Sequence, residues 1–470
     1  MNQRLRLAVV ALLAAGVFPV CGFSPDPAAQ VGADYIVTAA PVYMPLAETS
    51  GGERFPRGAQ LLLVHDGKPE PLVRGFAASA DADVFFNGKL VLFEGKKSPG
   101  DRWQIYEVTL EDRAVRQVLA GGEDAERPLY LPGGRMVWAQ RTTAGFRLRS
   151  ASDGHPMKYV PLNPTAGPGV LDLSYIRGNA FPSAILKDGR VLFEAGFPLG
   201  AGKSPEIYVE YADGSGVEAY RCDHGRARWG ARQLASGDIV FTHGASLARF
   251  TSPLAHEVAV AAPHAEFAGS VAETPSGDWL LSARTGPRQR YVIDLWKPGA
   301  PRMRTVLAIP GENLVEPVPV APRTIPPRFP SGLHRWNYAN LLALDARLSR
   351  EGDLKVTPSR VRLYAQDGEG KAVVMGTAPV AADGSFFVRV PSDRPIRFEL
   401  LDGHGLVMRR EHGWLWIRSG EQRICVGCHA GPERSFANKV PEVLLKSTTP
   451  VDLTYGMPVK TMPKTIAGGR

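Results

Sequence analysis

The sequence predicts an all-β protein in which an N-terminal β-propeller of about six blades precedes a small β-sandwich that ends in a Cys-x-x-Cys-His motif. Three observations support this prediction. The 470 residues include 50 glycines and 40 prolines, which favours turns and short strands over long helices. A turn followed by a short apolar strand recurs at intervals typical of propeller blades. A proline-rich segment then separates these repeats from a shorter β-rich region that contains the cysteine motif.

The N-terminus has the pattern of a secretory signal. Residues 1–6 include two arginines and no acidic residue, and residues 7–20 are almost entirely apolar, a run too short to span a bilayer comfortably. We therefore predict a signal peptide over residues 1–22 and a periplasmic or cell-surface location. No later segment reaches about 18 consecutive apolar residues, so no transmembrane segment is expected in the mature chain. Cys21 either leaves with the signal peptide or carries a lipid anchor.

Charge and cysteine content narrow the range of functions. The formal net charge is +8, but the basic residues are dispersed and the chain is predicted to be exported, so nucleic acid is not an expected partner. Beyond Cys21 the chain has only Cys222, Cys425 and Cys428, too few for a disulfide framework. Cys222 is interpreted as a buried small side chain.

The propeller is predicted over residues 35–320. Five turns contain a glycine followed by an apolar or aromatic strand, and successive glycines are 46, 55, 48 and 40 residues apart. Such turns need a positive φ, which costs little only for glycine. A strand at residues 61–64 supplies a further blade or closes the last one, and a β-sandwich with accidental periodicity is the alternative. The five glycines are Gly88, Gly134, Gly189, Gly237 and Gly277.

A proline-rich boundary precedes the second domain. Residues 316–330 contain six prolines, and residues 331–424 are predicted to form the β-sandwich. Within it, residues 336–348 fit either a strand or a helix, whereas residues 396–400 alternate between apolar and charged and predict a half-buried strand. A last strand through Trp414 and Trp416 is expected to lead into the cysteine motif. Residues 425–470 hold the motif and a C-terminal tail.

The motif Cys425-Val426-Gly427-Cys428-His429 carries the main functional signal. Two thiols separated by two residues can form thioethers with the two vinyl groups of one haem, and the adjacent histidine can then ligate the iron. We therefore predict one covalent haem c attached to Cys425 and Cys428, with His429 as an iron ligand.

Two other chemistries use a Cys-x-x-Cys pair. A redox dithiol expects a thioredoxin-like βαβ setting, and a zinc site needs further ligands at defined spacing; the sequence offers neither. No catalytic residue is assigned. The residues around the motif that could supply a second iron ligand are His404, Met408, His412, Tyr455, Met457 and Met462.

Around the motif the sequence resembles the middle domain of hydrazine synthase alpha subunits. The resemblance lies in the strand at residues 383–386, in Trp414 and in the Gly420-Glu421 pair before the motif. Members of that family also carry a β-propeller before this domain, so the resemblance implies a c-type haem protein of the periplasm or cell surface. It transfers only Cys425, Cys428 and His429. It does not transfer hydrazine synthesis, which uses further haem sites and partner subunits.

Two functions from different classes follow. The first is a c-type haem protein that exchanges electrons with a redox partner protein or serves as a subunit of a periplasmic oxidoreductase. The second is a haem-free propeller that binds a ligand or partner without catalytic activity. The haem motif favours the first.

Overall fold

The computed structural model describes residues 34–119, 121–152, 169–196, 204–221, 227–349, 352–427 and 434–454. Over these ranges the chain is almost entirely β, as the sequence predicts, with six four-stranded sheets arranged as a propeller and two four-stranded sheets arranged as a sandwich. No helix in the described ranges is long and apolar enough to cross a membrane.

The first 24 strands build the propeller. They are β1 (Tyr35–Ala40), β2 (Gln60–His65), β3 (Lys68–Pro71), β4 (Ala78–Val84), β5 (Leu90–Lys96), β6 (Gln104–Thr109), β7 (Val115–Leu119), β8 (Ala125–Leu131), β9 (Arg135–Thr142), β10 (Gly145–Ser152), β11 (Leu171–Asp172), β12 (Ala180–Ile185), β13 (Val191–Gly196), β14 (Pro205–Glu210), β15 (Glu218–Ala219), β16 (Arg228–Gln233), β17 (Ile239–His243), β18 (Ser246–Phe250), β19 (Val258–Ala259), β20 (Glu266–Glu273), β21 (Trp279–Arg284), β22 (Val292–Trp296), β23 (Arg304–Leu307) and β24 (Asn313–Pro319).

The ring is closed by strands from both ends of the propeller sequence. Blade 1 consists of β24, β1, β2 and β3, whereas blades 2 to 6 each consist of four consecutive strands, beginning at β4, β8, β12, β16 and β20. The innermost strands β24, β4, β8, β12, β16 and β20 contact one another in that order, and β20 returns to β24. Closure in this way leaves each blade packed between two neighbours.

The five predicted glycines all lie in the same place in their blades. Each occupies the hairpin between the innermost and the second strand of blades 2 to 6, with φ from 72° at Gly134 to 97° at Gly237. This left-handed region is strained for any residue with a Cβ atom. Blade 1 has no such hairpin because β24 and β1 come from opposite ends of the propeller. The sequence therefore shows five turns for six blades.

Each innermost strand also contains a β-bulge about halfway along its length. Glycine occupies the left-handed position in blades 5 and 6, as Gly230 and Gly269. In blades 1, 2 and 3 a charged residue adopts the same conformation: Glu316, Asp81 and Arg127 have φ of 52°, 52° and 51°. Since such a residue costs roughly 1 kcal/mol or more, this fold accepts backbone strain in order to present charged side chains at the propeller axis.

Carboxylates of one blade bind the bulge of the adjacent blade. The Arg127 N–H donates to Glu94 Oε2 at 2.8 Å, and the Gly230 N–H donates to Glu194 Oε1 at 2.5 Å. The Ser270 N–H donates to Glu316 Oε2 at 3.3 Å. A bulge interrupts the hydrogen-bond ladder of its strand, so these bonds satisfy buried N–H groups and connect the blades at the same time.

The segment 41–59 between β1 and β2, here called the plug segment, packs against the innermost strands. It contains a 3₁₀ helix (Ala47–Ser50), and its Phe55 lies in a buried cluster with Trp103 and Trp229. The Arg54 side chain, only 4% exposed, reaches the axis and pairs with Asp81. The plug segment thus joins blade 1 to the axis of the ring.

The second domain is a sandwich of two sheets. One sheet has the order β31-β25-β28-β32 and the other β27-β26-β29-β30. The apolar residues of both sheets face each other in one core. The elements are β25 (Tyr338–Ala343), β26 (Arg360–Gln366), β27 (Ala372–Pro379), β28 (Phe386–Pro391), β29 (Ile396–Leu401), β30 (Val407–Arg410), β31 (Gln422–Cys425), helix α1 (Glu442–Lys446) and β32 (Val451–Asp452).

The structure of the sandwich resolves one open expectation from the sequence and corrects another. The segment that fitted either a strand or a helix contains the strand β25. No strand runs through Trp414 and Trp416: only an isolated bridge joins Leu415 to Ile396, and the strand before the motif is β31. The physical reason is that Trp414 and Trp416 pack into a buried cluster with propeller residues, so their backbone is not part of either sheet.

The proline-rich segment after β24 lies against the propeller. Cβ atoms added to Gly88 and Gly189 would come within 3.1 Å of Pro322 N and 2.2 Å of Pro327 O. Arg323 donates to both carboxylate oxygens of Asp83, at 2.9 and 3.0 Å. The segment therefore passes over hairpins of successive blades before it enters the sandwich.

Candidate functional site

Cys425 is the last residue of β31, an edge strand that pairs in parallel with β25. The carbonyl oxygens of Cys425 and Val426 accept hydrogen bonds from the N–H groups of Leu344 and Asp345, at 2.9 and 3.1 Å. The Cys425 side chain is half-buried and packs against the sandwich core. Strand pairing thus fixes the first cysteine of the motif. Cys428 and His429 lie outside the described residues.

Gly427 has no room for a side chain. A Cβ atom at this position would come within 2.6 Å of the Leu348 carbonyl oxygen and 2.9 Å of the Asp345 carbonyl oxygen. The turn that it contacts is itself held by the buried Asp345 carboxylate, which accepts two hydrogen bonds of 2.8 Å from the Arg347 guanidinium. The backbone between the two cysteines therefore packs directly on this turn, and glycine is required for steric reasons.

The chain beyond the motif is bound to the same region. Arg434 donates to both carboxylate oxygens of Asp353, at 2.7 and 2.9 Å, and Asp353 also accepts from the Ser349 N–H at 3.0 Å. Val426 within the motif and Arg434 after it are thus both anchored to the segment that follows β25.

Residues 414–423, here called the lead-in segment, connect the motif to the propeller. Trp416 is fully buried, and its Nε1–H donates to the Gly214 carbonyl oxygen at 3.1 Å. The Arg418 guanidinium donates to Asp393 Oδ1 at 2.7 Å and lies 5.0 Å from the centre of the Tyr175 ring. The lead-in segment is therefore fixed by the loop between β14 and β15 and by the core of the third and fourth blades.

Two charged side chains continue the contact with the propeller up to the strand that ends at Cys425. Glu421 Oε1 accepts from the Gly216 N–H at 3.2 Å, and its Oε2 accepts from the Arg418 N–H at 2.9 Å. Arg423 donates from Nη2 to the Val217 carbonyl oxygen at 2.5 Å. The strand that carries Cys425 is thus held by the propeller on one side and by β25 on the other.

Comparison with known proteins addresses this part of the chain directly. Residues 362–430 match the family described as the hydrazine synthase alpha subunit middle domain. The matched segment begins within β26 and includes the whole cysteine motif. This part of the chain is therefore similar to the middle domain of hydrazine synthase alpha subunits.

Solved structures were compared with the fold of the chain as well. Hydrazine synthase of Kuenenia stuttgartiensis superposes with a TM-score of 0.74 at 17% identity, over 88% of this chain and 71% of that chain. TolB of Acinetobacter baumannii superposes with a TM-score of 0.44 at 14% identity, over 60% of this chain and 66% of that chain. No curated protein matches. The propeller followed by a middle domain is thus shared with the hydrazine synthase structure.

The surroundings of Cys425 bear on the redox-dithiol alternative for the motif. Burial raises the pKa of Cys425, and the adjacent Arg423 guanidinium only partly opposes that effect. A redox-active dithiol usually has a lowered pKa. The surroundings of Cys425 therefore differ from those of a redox dithiol, which was one alternative for the motif.

The other predicted ligands have different positions. His404 lies in the exposed turn before β30 and His412 is exposed after it, while Met408 is half-buried within β30. β30 belongs to the sheet that does not contain Cys425. Tyr455, Met457 and Met462 lie outside the described residues. In the described part of the chain, no group of three or more His, Cys, Asp or Glu side chains is placed to hold a metal ion.

Sequence reasoning missed the residues that support the motif. Asp345, Asp353 and Gly214 are distant from Cys425 in the chain and carry no motif of their own. One signal was available, the glycine at position 427, because a glycine within a constrained motif often marks close backbone packing.

Proposed function

We propose that this chain is an exported c-type haem protein that acts in electron transfer or as a subunit of a periplasmic oxidoreductase. In this proposal Cys425 and Cys428 form the two thioethers, and His429 ligates the iron. The main observation in favour of this proposal is the structure around the motif. The Cys425 thiol is half-buried at the end of a paired strand, and the segment that contains it is anchored on both sides. The relation to the hydrazine synthase alpha subunits supports the same conclusion.

The donor set present in the chain suits a covalently attached haem. Thioether formation consumes a thiol at each cysteine, and the Cys425 thiol is available at the end of β31 rather than in a disulfide with any described residue. The attached group would supply one-electron exchange at its iron. The protein's own contribution is to orient the motif through β25 and the lead-in segment.

The lead-in segment also places buried side chains between the propeller and the sandwich. Trp416 and Arg418, both 2% exposed or less, lie between the propeller and the strand of Cys425. A buried, low-dielectric surrounding is one of the means by which proteins tune the potential of an iron centre. The propeller is therefore a structural part of the haem site in this proposal.

Covalent attachment is tested on the full chain produced with a cytochrome c maturation system. We expect haem to survive acid–acetone extraction and denaturing electrophoresis, with a pyridine haemochrome spectrum typical of two thioethers. Cys428→Ala should leave at most one thioether and a weakly retained haem. Cys222→Ala is the matched control and should keep the wild-type spectrum. Absence of covalent haem in the matured wild type would leave the haem-free binding protein as the function.

The role of His429 is tested by spectroscopy. Because the thioethers already position the ring, His429→Ala should retain covalent haem but change the spin state and the Soret position. His404→Ala, in the exposed turn before β30, provides the control. Identical spectra of wild type and His429→Ala in both oxidation states would remove His429 from the iron.

A further inference from the structure

A small cavity of about 30 Å³ lies on the propeller axis, far in sequence from the cysteine motif. Its walls come from the bulges of the innermost strands and from Arg54 of the plug segment. The charged side chains that line it are Arg54, Asp81, Arg127, Glu194, Arg232 and Glu316. Three cations and three anions thus face one cavity, so the pairing among them decides what it can bind.

The three carboxylates are all engaged by the protein. Asp81 pairs with Arg54. Glu316 Oε2 accepts from the hydroxyl of Ser270 at 2.7 Å and from its N–H at 3.3 Å. Glu194 Oε1 accepts from the N–H groups of residues 230 and 231, at 2.5 and 3.2 Å. These groups have little capacity left to hold a cation.

Two of the three arginines are engaged as well. Besides Asp81, Arg54 lies 3.0 Å from Glu48 Oε1, measured from its Nε atom. Arg127 pairs with Glu48 Oε2 at 2.6 Å and with Glu194 Oε2 at 3.3 Å. Arg54 Nη1 also lies 3.6 Å from Glu316 Oε1, so Arg54 contacts three carboxylates and Arg127 contacts two.

Arg232 is different. Its only hydrogen bond runs from Nη1 to the carbonyl oxygen of Ser183, and it forms no ion pair with any residue that the structure describes. Burial and the neighbouring Arg323 lower the pKa of Arg232, although Glu316 and Asp83 act in the opposite direction. Arg323 itself is neutralised by Asp83. The carboxylates of Glu316 and Glu194 act on Arg232 from beyond ion-pair distance and are themselves bound by other groups. A small anion in direct contact would therefore stabilise this partly buried guanidinium.

We propose that the propeller axis is a binding site for a small inorganic or carboxylate anion, with the guanidinium of Arg232 as its main ligand. The cavity has room for one or two water-sized particles. That size admits a halide or formate and excludes nucleotides and peptides. The planar guanidinium can bind both oxygens of a carboxylate. This site is independent of the haem proposed above, because no cavity-lining residue belongs to the sandwich.

Bromide is a suitable probe because its anomalous scattering locates it directly. Crystals of the full chain grown with sodium bromide should show an anomalous peak beside the Arg232 guanidinium. Titration of bromide in solution, at an ionic strength held constant with a bulky anion, should give saturable binding that Arg232→Gln weakens about tenfold or more. Arg249→Gln removes the same charge from an outer strand of the same blade and should bind as the wild type does.

A second variant keeps the proposal testable if Arg232→Gln fails to fold. Arg232→Lys keeps the charge but lacks the guanidinium fork. It should retain bromide binding and lose affinity for formate relative to bromide. The proposal is wrong if bromide peaks occur only on the outer surface, if Arg232→Gln binds bromide as tightly as the wild type, or if Arg232→Lys leaves the ratio of formate to bromide affinity unchanged.

Discussion

The propeller axis is polar and strained, whereas the core of the sandwich is largely apolar. Around the axis every innermost strand has a bulge, and three charged residues there adopt left-handed φ values. In the sandwich, β25 and β28 pair over six consecutive residues without a register shift, and their inward side chains are apolar. The ring thus relies on specific hydrogen bonds between blades, while the domain that carries Cys425 relies on close packing.

The two regions meet at Trp416, and its removal should have the largest effect. Trp416→Ala deletes a fully buried ring that lies in a propeller cluster and donates a hydrogen bond to Gly214. We expect a loss of about 3–5 kcal/mol in the free energy of unfolding. Denaturant unfolding monitored by fluorescence measures this loss. Trp336→Ala, which removes a ring that is 48% exposed, is the control. Equal losses in the two variants would show that the domains do not stabilise each other through the lead-in segment.

The polar character of the axis should appear as a pH dependence of stability. Burial raises the pKa of Glu94 to about 7, against about 4.3 in an unfolded chain. Between these values the folded protein holds the proton and the unfolded chain does not. The contribution of Glu94 to stability should therefore fall as pH rises from about 4.3 to 7, by at most about 4 kcal/mol, and not further above that range.

Glu94→Gln tests this dependence because the amide can still accept from the Arg127 N–H. The variant should lose part of the decline in stability between pH 5 and pH 8, as measured by denaturant unfolding at each pH. Glu123→Gln changes an exposed side chain near the same ring and serves as the control. A decline in Glu94→Gln as steep as in the wild type would contradict the assignment.

Close packing at the motif predicts a smaller but localised effect. Gly427→Ala forces a methyl group against the carbonyl oxygens of Leu348 and Asp345. We expect a loss of about 2 kcal/mol, together with a lower yield of covalent haem during maturation. Val426→Ala, one position earlier, is the control. Unchanged stability and haem yield in Gly427→Ala would mean that the motif does not pack on this turn.

Local regularities account for what the sequence predicted. The hairpin glycines revealed the blades because positive φ restricts the residue type at each turn. The alternation at residues 396–400 predicted the strand β29, but the strand is not half-buried as expected, because Glu399 is buried as well. The cysteine motif was recognisable because its chemistry depends on residues close in the chain.

Contacts between distant segments account for what the sequence did not predict. Trp414 and Trp416 were expected in a strand, yet they pack on the propeller, a partner that no local pattern specifies. The bulge residues Asp81, Arg127 and Glu316 were not singled out either. Charged residues in apolar strands look like solvent-facing positions until the ring closes around them.

The pairing of β24 with β1, which closes blade 1, determines when the propeller can be completed during synthesis. β24 pairs with β1 although Ala40 and its partner Asn313 are 273 residues apart in the chain. Until β24 has been made, blades 2 to 6 can form hairpins, but the ring has an open gap between blades 6 and 2. Contacts so distant in sequence form late, because a long loop must close before they are gained. The strand that completes the ring is followed at once by the segment that enters the sandwich. The strand that completes the propeller is therefore synthesised just before the domain that contains the cysteine motif.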